Sequence, residues 1–282
     1  MLLSGKIAII TGGSLGIGLA ISKAFAGQDA NLVIVSRNKL ASENMQDISR
    51  VSASCIENFQ ADVSQQNDVK RMLDFTIDKF GTVDILVNCA GIYGPIGLVT
   101  DVDANQWFET INVNLYGTFL CMRAVLPIMM KKNKGKIVNM SGGGGASPLP
   151  RFSAYGASKA AVIRLTETIA NEVKDYKIDI NAIAPGAVNT RLLDQALSAG
   201  DAAGKDFRLK VLKQLQDGGV PAEKVADLAL FLSSDESDGL TGRLISLLWD
   251  KWKESPKHLK EIMSSDVYTM RRILPEDRGY RW

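Results

Sequence analysis

The chain has 282 residues, of which 46% are hydrophobic and 23% charged, and a net charge of +2, as in an ordinary soluble globular protein. This balance gives no sign of a basic nucleic-acid surface. Three scattered cysteines without CxxC spacing argue against a disulfide framework and a zinc site, and the single histidine, His258, excludes a histidine-based metal cluster.

The chain begins with a pattern of strand, glycine turn and helix. Residues 6–11 form an apolar run, residues 12–18 read Gly-Gly-Ser-Leu-Gly-Ile-Gly, and the next helix has an apolar inner face of Ile17, Ala20, Ile21, Ala24 and Phe25. Positions without side chains let the backbone approach a pyrophosphate at the positive end of a helix. A glycine turn alone could equally be a tight turn without a ligand. The flanking strand and helix favour a dinucleotide cradle.

Short apolar runs then alternate with helical patterns. Further strands are predicted at 32–35, 83–87, 136–140 and 178–183. These runs are apolar throughout rather than at every second position, which indicates a parallel sheet covered by helices on both faces. The sequence therefore predicts an α/β fold with a doubly wound parallel sheet. Ligands should bind at the carboxyl ends of its strands.

The end of the second strand bears on the choice of dinucleotide. An acidic residue there would bind the adenosine ribose of NAD and repel a 2′-phosphate. The chain instead has Ser36, Arg37 and Asn38. Arginine offers a planar, permanently charged fork for phosphate oxygens, and Ser36 adds a small donor, so NADP is expected in preference to NAD. The alternative is that Arg37 is a solvated loop charge and that either cofactor is accepted.

Tyr155 and Lys159 are the strongest catalytic candidates. Their i, i+4 spacing places both side chains on one face of a helix. A cation within roughly 4–6 Å favours a phenolate, so the lysine is expected to lower the tyrosine pKa and make it an acid for proton transfer. The alternative is an ordinary amphipathic helix on which Lys159 extends into solvent.

Several separated motifs resemble those of the short-chain dehydrogenase/reductase family in its compact single-domain form. The resemblance runs from about Leu3 to Leu247. It rests on the dinucleotide loop from Thr11 to Gly18, the adenine contact Asp62-Val63, the run Asn88-Cys89-Ala90-Gly91, the helix residue Asn114, the Tyr155 and Lys159 pair, and Pro185-Gly186 with Thr190. It implies a Rossmann-like sheet of about seven strands in residues 1–247. It also implies an NAD(P)-dependent oxidoreductase that interconverts a carbonyl and an alcohol by hydride transfer.

The resemblance also assigns roles to individual residues. Tyr155 gives a proton to the carbonyl, Lys159 lowers the tyrosine pKa and binds the nicotinamide ribose, and Asn114 holds a water in the proton path. The implied cofactor-binding residues are Gly12, Ser14, Gly16, Ile17, Gly18, Ser36, Arg37, Asn38, Asp62, Val63, Asn88, Ala90, Gly91, Tyr155, Lys159, Pro185, Gly186, Val188 and Thr190.

One element of the family pattern is missing. A serine that polarises the carbonyl normally lies thirteen residues before the tyrosine, where this chain has Gly142. Ser141 lies one residue earlier, although successive strand side chains point to opposite faces unless the backbone bulges. The four glycines from 142 to 145 allow an unusual path, so Ser141, Ser147 or a main-chain N–H could bind the substrate oxygen. Ser141 is the first choice.

The C-terminal region also departs from the family. Residues 248–282 contain three of the four tryptophans and two of the six tyrosines. Ser255 and Pro256 are predicted to cap and start a short helix with Leu259, Ile262 and Met263 on one side. This helical and aromatic extension could close over the substrate cleft, dock on a neighbouring subunit, or cover its own domain. The substrate lid itself is expected between residues 191 and 219, before a helix that begins near Pro221.

The remaining expectations concern substrate, partners and location. The substrate is a small carbonyl or alcohol of unknown identity, with 3-oxoacyl thioester reduction as one specific possibility. A protein that binds NADP and only senses it is the rival interpretation. The family suggests a homodimer or homotetramer. The N-terminus lacks a basic, then apolar, leader pattern and no stretch reaches about 18 apolar residues, so a cytoplasmic protein without membrane or nucleic-acid partners is expected.

Overall fold

The computed structural model describes residues 1–50 and 54–282. Its strands are β1 Ile7–Thr11, β2 Asn31–Ser36, β3 Ile56–Gln60, β4 Ile85–Asn88, β5 Gly135–Met140, β6 Ile178–Ala184 and β7 Arg243–Ser246. Within the described residues they form one seven-stranded sheet, ordered β3-β2-β1-β4-β5-β6-β7, in which every pair of neighbours is parallel. This confirms the predicted Rossmann-like, doubly wound sheet.

Helices connect the strands and cover both faces of the sheet. They are α1 Gly16–Ala26, α2 Ser42–Arg50, α3 Gln66–Phe80, α4 Ala104–Ile111, α5 Gly117–Lys132, α6 Gly143–Ala146, α7 Ser153–Glu172, α8 Arg191–Ser198, α9 Lys205–Asp217, α10 Ala222–Ser233 and α11 Leu259–Met263. Helices α1, α2 and α10 contribute to the core on one face, and α3, α5 and α7 to the core on the other.

The central strands are buried on both faces, which explains their continuous apolar runs. Ile10 of β1 packs in the core beneath α1 and α10, whereas its neighbour Ile9 packs in the core beneath α3 and α5. Both side chains are completely buried. Since successive side chains of a strand point to opposite faces, each face demands its own apolar residue. Helix α1 meets its core through Ile21 and Phe25, as predicted.

The two outermost strands had no residues assigned from the sequence. Strand β3 is only half-buried and has polar residues at three of its five positions, Glu57, Asn58 and Gln60. Strand β7 is short and begins with Arg243. An edge strand has one neighbour and a partly solvated surface, so it lacks the apolar run that identifies the inner strands.

The helical stretch Ala104–Lys132 is long and apolar enough to cross a membrane by length and composition, with a mean hydropathy of 1.4. We expected no apolar stretch long enough to span a membrane, and by length and composition this stretch is an exception. However, 56% of its most apolar 18-residue window is buried within the protein, where α5 packs on α3, β4 and β5. It is therefore a buried core helix.

The region after β7 packs on the same chain. The ring of Trp252 lies 5.3 Å from that of Phe231 in α10. The Arg243 guanidinium donates to the carbonyl oxygens of Ile262, at 2.8 Å, and Ser265, at 3.1 Å. The prediction that Ser255 caps a helix was wrong, because a 3₁₀ turn already begins at Trp252. The Ser255 hydroxyl donates to the carbonyl oxygen of Trp252. The boundary between 1–247 and 248–282 stays a prediction.

Candidate active site

The glycine turn packs main chain against main chain at the carboxyl ends of β1 and β4. Gly12 adopts φ +66°, and a Cβ there would lie 2.8 Å from the Ala90 nitrogen. A Cβ at Gly18 would overlap the carbonyl oxygen of Gly12. The buried Ser22 hydroxyl fixes the turn by bonding to the carbonyl oxygens of Gly13, at 3.1 Å, and Gly18, at 2.9 Å. These contacts explain why side chains are absent from the turn.

A cavity of about 270 Å³ opens beside this turn. Most of the predicted cofactor-binding residues line it: Gly12, Ser14, Gly16, Ile17, Gly18, Ser36, Arg37, Asn38, Asp62, Val63, Ala90, Gly91 and Thr190. Asn88, Pro185, Gly186, Val188, Tyr155 and Lys159 are not part of its lining. The structure thus brings residues from five separate segments of the chain to one cavity.

The wall formed by the end of β2 is held by hydrogen bonds of its own. The Ser36 hydroxyl donates to the Asn38 carbonyl oxygen at 2.5 Å, and the Gln60 amide donates to the Arg37 carbonyl oxygen at 2.8 Å. Asp62 accepts from the nitrogen and the hydroxyl of Ser64, at 2.9 and 2.7 Å. Arg37 is exposed and has no ion pair within residues 1–50 and 54–282. Its charge is therefore free to meet an anion at the rim of the cavity.

Tyr155 packs against the glycine run that follows β5. A Cβ at Gly142 would lie 2.7 Å from the Tyr155 hydroxyl oxygen, and one at Gly144 would lie 3.5 Å from its ring. The ring is also covered edge-on by Tyr93, with centroids 4.7 Å apart. Only 8% of the Tyr155 residue is exposed. The glycine run therefore accommodates the tyrosine ring.

Lys159 lies beneath Tyr155, as their spacing predicts. Its Nζ lies 5.7 Å from the tyrosine ring centroid and donates to the Met140 carbonyl oxygen at 2.8 Å. A Cβ at Gly91 would lie 3.4 Å from Nζ. The ammonium group therefore reaches the wall of the cavity at Gly91.

Burial dominates the electrostatics of this pair. It raises the pKa of Tyr155 above its ordinary value, with repulsion from Tyr93 and Cys89 adding to the effect. Burial also lowers the pKa of Lys159 to about 8. The expectation that the neighbouring lysine leaves Tyr155 with a lowered pKa was therefore wrong for the protein as described, because desolvation of the phenolate is the larger effect.

Asn114 lies in a π-helical turn, Asn112–Tyr116, between α4 and α5. Its side-chain oxygen accepts from the Ile92 nitrogen at 2.8 Å, and its amide donates to the Ile92 carbonyl oxygen at 2.9 Å and to the Ser158 hydroxyl at 2.9 Å. The π turn inserts a residue into the helix, as often happens at functional sites. Asn114 thus fixes the loop that follows Gly91, and its role with a water stays a prediction.

Ser141 points away from Tyr155. Its hydroxyl is buried and donates to the Lys159 carbonyl oxygen at 3.2 Å. The residue directed at the Tyr155 hydroxyl is Gly142, so the alternation of strand side chains is kept at this point. The assignment of Ser141 to the substrate oxygen remains untested, and this geometry counts against it.

The remaining predicted residues lie deeper in the sheet or beyond it. Asn88 is buried, its amide donates to the Asn139 side-chain oxygen at 2.8 Å, and its own side-chain oxygen has no partner among the described residues. Gly186 adopts φ +79° beneath Leu248, and Val188 pairs with Val220. Together with Pro185 they form the connection from β6 to the cavity, which Thr190 reaches opposite Gly16.

Several cavity residues were not among the predicted cofactor-binding residues, although Leu15 and Cys89 lie within the predicted motifs: Leu15, Val35, Ala61, Cys89, Ile92, Val113, Leu192 and Gln195. Some carried a usable signal. Ile92 directly follows Gly91, and Leu192 and Gln195 lie three residues apart in the helix after Thr190, so they share one face. Tyr93, which contacts Tyr155, follows on the same loop and was also missed.

The chain belongs to the short-chain dehydrogenase/reductase family, since the family model described as short chain dehydrogenase matches residues 6–200. This makes it an oxidoreductase of a family that uses NAD(P). The predicted family resemblance is confirmed.

Similar proteins cover nearly the same length. Glucose 1-dehydrogenase 2 of Bacillus subtilis is 36% identical over 245 residues, which cover 85% of this chain and 92% of that protein. A 3-oxoacyl-acyl-carrier-protein reductase, FabG of Thermotoga maritima, is 33% identical over 252 residues, covering 88% and 98%. The crystal structure of levodione reductase superposes with a TM-score of 0.77 at 27% identity, covering 90% of this chain and 99% of that one.

Proposed function

We propose that this protein is an NADP-preferring oxidoreductase that interconverts a carbonyl and an alcohol, with Tyr155 as acid and base. The observation that carries the proposal is the placement of the Tyr155 and Lys159 pair. The lysine ammonium group lies beneath the tyrosine ring, 5.7 Å from its centroid, and reaches the wall of the glycine-lined cavity at Gly91. A proton donor, a cation and a cavity for a dinucleotide are thus adjacent.

The cavity residues fit a dinucleotide. The turn at Gly12 leads into α1, a helix of 11 residues whose first N–H groups and positive dipole end suit a pyrophosphate. Main-chain contact between Gly12 and Ala90 leaves no side chain in the way. A nicotinamide dinucleotide, when bound, supplies or accepts the hydride.

Tyr155 would move the proton in this reaction. During reduction the phenol gives its proton to the carbonyl oxygen while the carbonyl carbon gains the hydride, and during oxidation both transfers reverse. The buried, protonated phenol is already the form that reduction needs. Lys159 would stabilise the phenolate left behind, because a cation beside it opposes the desolvation that raises the Tyr155 pKa.

The preference for NADP depends on Arg37. Its guanidinium lies exposed at the cavity rim, with Ser36 and Asn38 beside it and no acidic residue at the end of β2. A 2′-phosphate would gain a charge-assisted, two-point contact with such a group. The dissociation constants of NADPH and NADH test this: we expect tighter NADPH binding, and tighter NADH binding would contradict it.

A nucleotide sensor without catalysis is the second candidate. Gly142 favours it, because this position lacks the hydroxyl that the family normally directs at the substrate. Intact Tyr155, Lys159 and Asn114 favour catalysis, since a sensor has less need of a proton donor. Within catalysis, reduction of a 3-oxoacyl thioester is one specific activity, supported by the name of the Thermotoga maritima relative.

We also expect a cytoplasmic homodimer or homotetramer, formed largely by the long helices around Asn114 and Tyr155. Light scattering on the purified protein tests the assembly, and a monomer at micromolar concentration would contradict it.

The activity itself is tested by following NADPH consumption with a panel of carbonyl compounds. Aldehydes, cyclic ketones and 3-oxoacyl thioesters cover the chemistry that the site supports. Binding of NADPH should be measured in parallel by its fluorescence. Turnover with at least one compound supports the oxidoreductase, whereas tight NADPH binding without any turnover favours the sensor.

A further inference from the structure

The substrate side of Tyr155 lacks a hydroxyl where the family has one. Gly142 faces the Tyr155 hydroxyl but has no side chain, and the Ser141 hydroxyl is bonded to the Lys159 carbonyl oxygen. Ser147 is exposed to solvent. It follows Gly145, whose Cβ would face the Lys159 carbonyl group, by two residues. A developing oxyanion needs a second donor besides the acid, because one such donor typically changes a rate by about 10²–10³.

Tyr93 brings a second phenol to this place. Its ring meets that of Tyr155 at 79° with centroids 4.7 Å apart, and meets Phe152 at 66° and 5.2 Å. Edge-on contacts with two buried rings restrict the orientation of the Tyr93 ring. The Tyr93 and Tyr155 rings are therefore in direct contact, which puts a second phenol beside the proposed proton donor. Repulsion from Tyr93 also contributes to the raised pKa of Tyr155.

The backbone that carries Tyr93 is also fixed. Both main-chain groups of the preceding residue, Ile92, are bonded to the side chain of Asn114, at 2.8 and 2.9 Å. Asn114 is itself completely buried. These two bonds restrain the main chain directly before Tyr93.

The Tyr93 hydroxyl is available. Tyr93 is half-buried, and its hydroxyl forms no hydrogen bond with any of the described residues. A tyrosine hydroxyl this close to a buried cluster usually finds a partner. Burial raises the Tyr93 pKa, so the group keeps its proton and can donate a hydrogen bond at neutral pH.

We propose that the Tyr93 hydroxyl donates a hydrogen bond to the substrate oxygen. It thereby replaces the serine hydroxyl that the family has at the position of Gly142. This rests on the oxidoreductase activity proposed above. In reduction, the hydride joins the carbonyl carbon, the Tyr155 proton joins the oxygen, and Tyr93 keeps its proton throughout. Tyr93 therefore stabilises the developing charge without taking part in the proton balance.

The first test is Tyr93→Phe, which keeps the ring contacts and removes only the oxygen. We expect kcat for the best carbonyl substrate to fall by about 10²-fold, with the dissociation constant of NADPH unchanged. Tyr176→Phe is the matched control, because that tyrosine is exposed before β6, at the opposite end of the strand from the site. An unchanged kcat in Tyr93→Phe would overturn the assignment.

The second test restores a hydroxyl at the original place. In the Tyr93→Phe background, Gly142→Ser should recover at least about tenfold in kcat, because it restores a hydroxyl beside the Tyr155 oxygen and the extended backbone at residue 142 suits any residue. Gly142→Ala in the same background adds the same Cβ, 2.7 Å from the Tyr155 oxygen, without a hydroxyl, and should recover nothing. Equal rates in the serine and alanine double variants would also overturn the assignment.

Two comparisons separate this inference from the activity on which it rests. If wild type is active, Tyr155→Phe is inactive and Tyr93→Phe matches wild type, only the assignment of Tyr93 fails. If wild type binds NADPH and turns over no carbonyl in the panel, the oxidoreductase proposal fails and the assignment fails with it.

Discussion

Two halves of the site lie side by side at the carboxyl edge of the sheet and use the chain in different ways. The half that we propose binds the nucleotide, called the nucleotide half, comprises residues 12–18, 36–38, 61–63 and 89–91 and consists largely of main chain and small residues around one cavity. The half that we propose binds the substrate, called the substrate half, comprises Tyr93, 142–147, Phe152, Tyr155 and Phe207 and consists of aromatic rings packed against a glycine run. A cradle formed by the main chain requires positions without side chains, so its glycine pattern can be recognised in the sequence. An aromatic pocket depends on which rings meet, which is decided by tertiary packing.

Apart from changes to Tyr155 itself, the largest effect should come from Lys159→Met, which removes the cation at the boundary between the halves. We expect kcat for reduction to fall by about 10²-fold or more, because the phenolate formed at Tyr155 loses its counter-charge. Wild-type kcat should itself decline as pH rises through about 8, where Lys159 loses its proton. Steady-state rates from pH 6 to 10 check this, and a wild-type profile that is flat from pH 7 to 9.5 would contradict it.

The same variant has a stability signature. The folded-state pKa of Lys159 is lowered to about 8 from 10.5, so between these pH values the unfolded chain holds a proton that the folded chain has lost. The contribution of this group to the free energy of unfolding therefore rises with pH over that window. Lys159→Met should be more stable than wild type by up to about 3 kcal/mol at pH 7, and the difference should shrink as pH rises from 8 to 10. Urea unfolding at several pH values measures it, and a difference independent of pH would be evidence against the buried ammonium group.

Gly18→Ala probes the backbone cradle of the nucleotide half. Its Cβ would overlap the Gly12 carbonyl oxygen, and overpacking of this kind costs about 1–3 kcal/mol. We expect NADPH binding to weaken by about 10- to 100-fold. Gly143→Ala is the control from the substrate half, since a Cβ there has no described atom within 4 Å. Equal NADPH affinity in the two variants would remove the distinction between the halves.

Arg37→Glu should reverse the cofactor preference with a smaller effect. The guanidinium is exposed, so solvent and salt screen its contact with a 2′-phosphate. We expect the ratio of NADPH to NADH dissociation constants to shift by about tenfold or more towards NADH. Fluorescence titrations at two salt concentrations measure the ratio. An unchanged ratio would mean that Arg37 does not contact the cofactor.

The smallest effect is expected in the region after β7. Trp249 is 85% exposed, so Trp249→Ala should change the free energy of unfolding by less than about 0.5 kcal/mol. Trp252 packs on Phe231, and Trp252→Ala should cost clearly more. Chemical unfolding with assembly size measured alongside checks this. A large loss of stability or a smaller assembly in Trp249→Ala would indicate that a second subunit covers this ring.

The sequence allowed the sheet and the nucleotide half to be predicted because both leave local patterns. Inner strands such as β1 are buried on both faces and read as apolar runs, and the turn from Gly12 to Gly18 has glycines wherever main chains touch. The edge strands β3 and β7 lack such runs and were not located. Pairing of Val188 with Val220 depends on distant segments and leaves no local trace.

The burial and the contacts of the substrate half could not be predicted from the sequence, for physical reasons. The spacing of Tyr155 and Lys159 gives their distance but says nothing about burial, and burial decides the direction of the Tyr155 pKa. Tyr93 is separated from Tyr155 by 62 positions, so their contact is visible only in the folded chain. The likewise unpredicted 3₁₀ turn at Trp252 follows from the packing of that ring on α10.

The central claim, that Tyr155 transfers the proton beside a bound nicotinamide dinucleotide, is tested most directly by one comparison. NADPH consumption with the best carbonyl substrate should be measured for wild type and Tyr155→Phe at matched NADPH saturation. The account predicts that kcat falls by about 10²–10⁴-fold while the NADPH dissociation constant stays within about threefold. Equal turnover by the two proteins would contradict it.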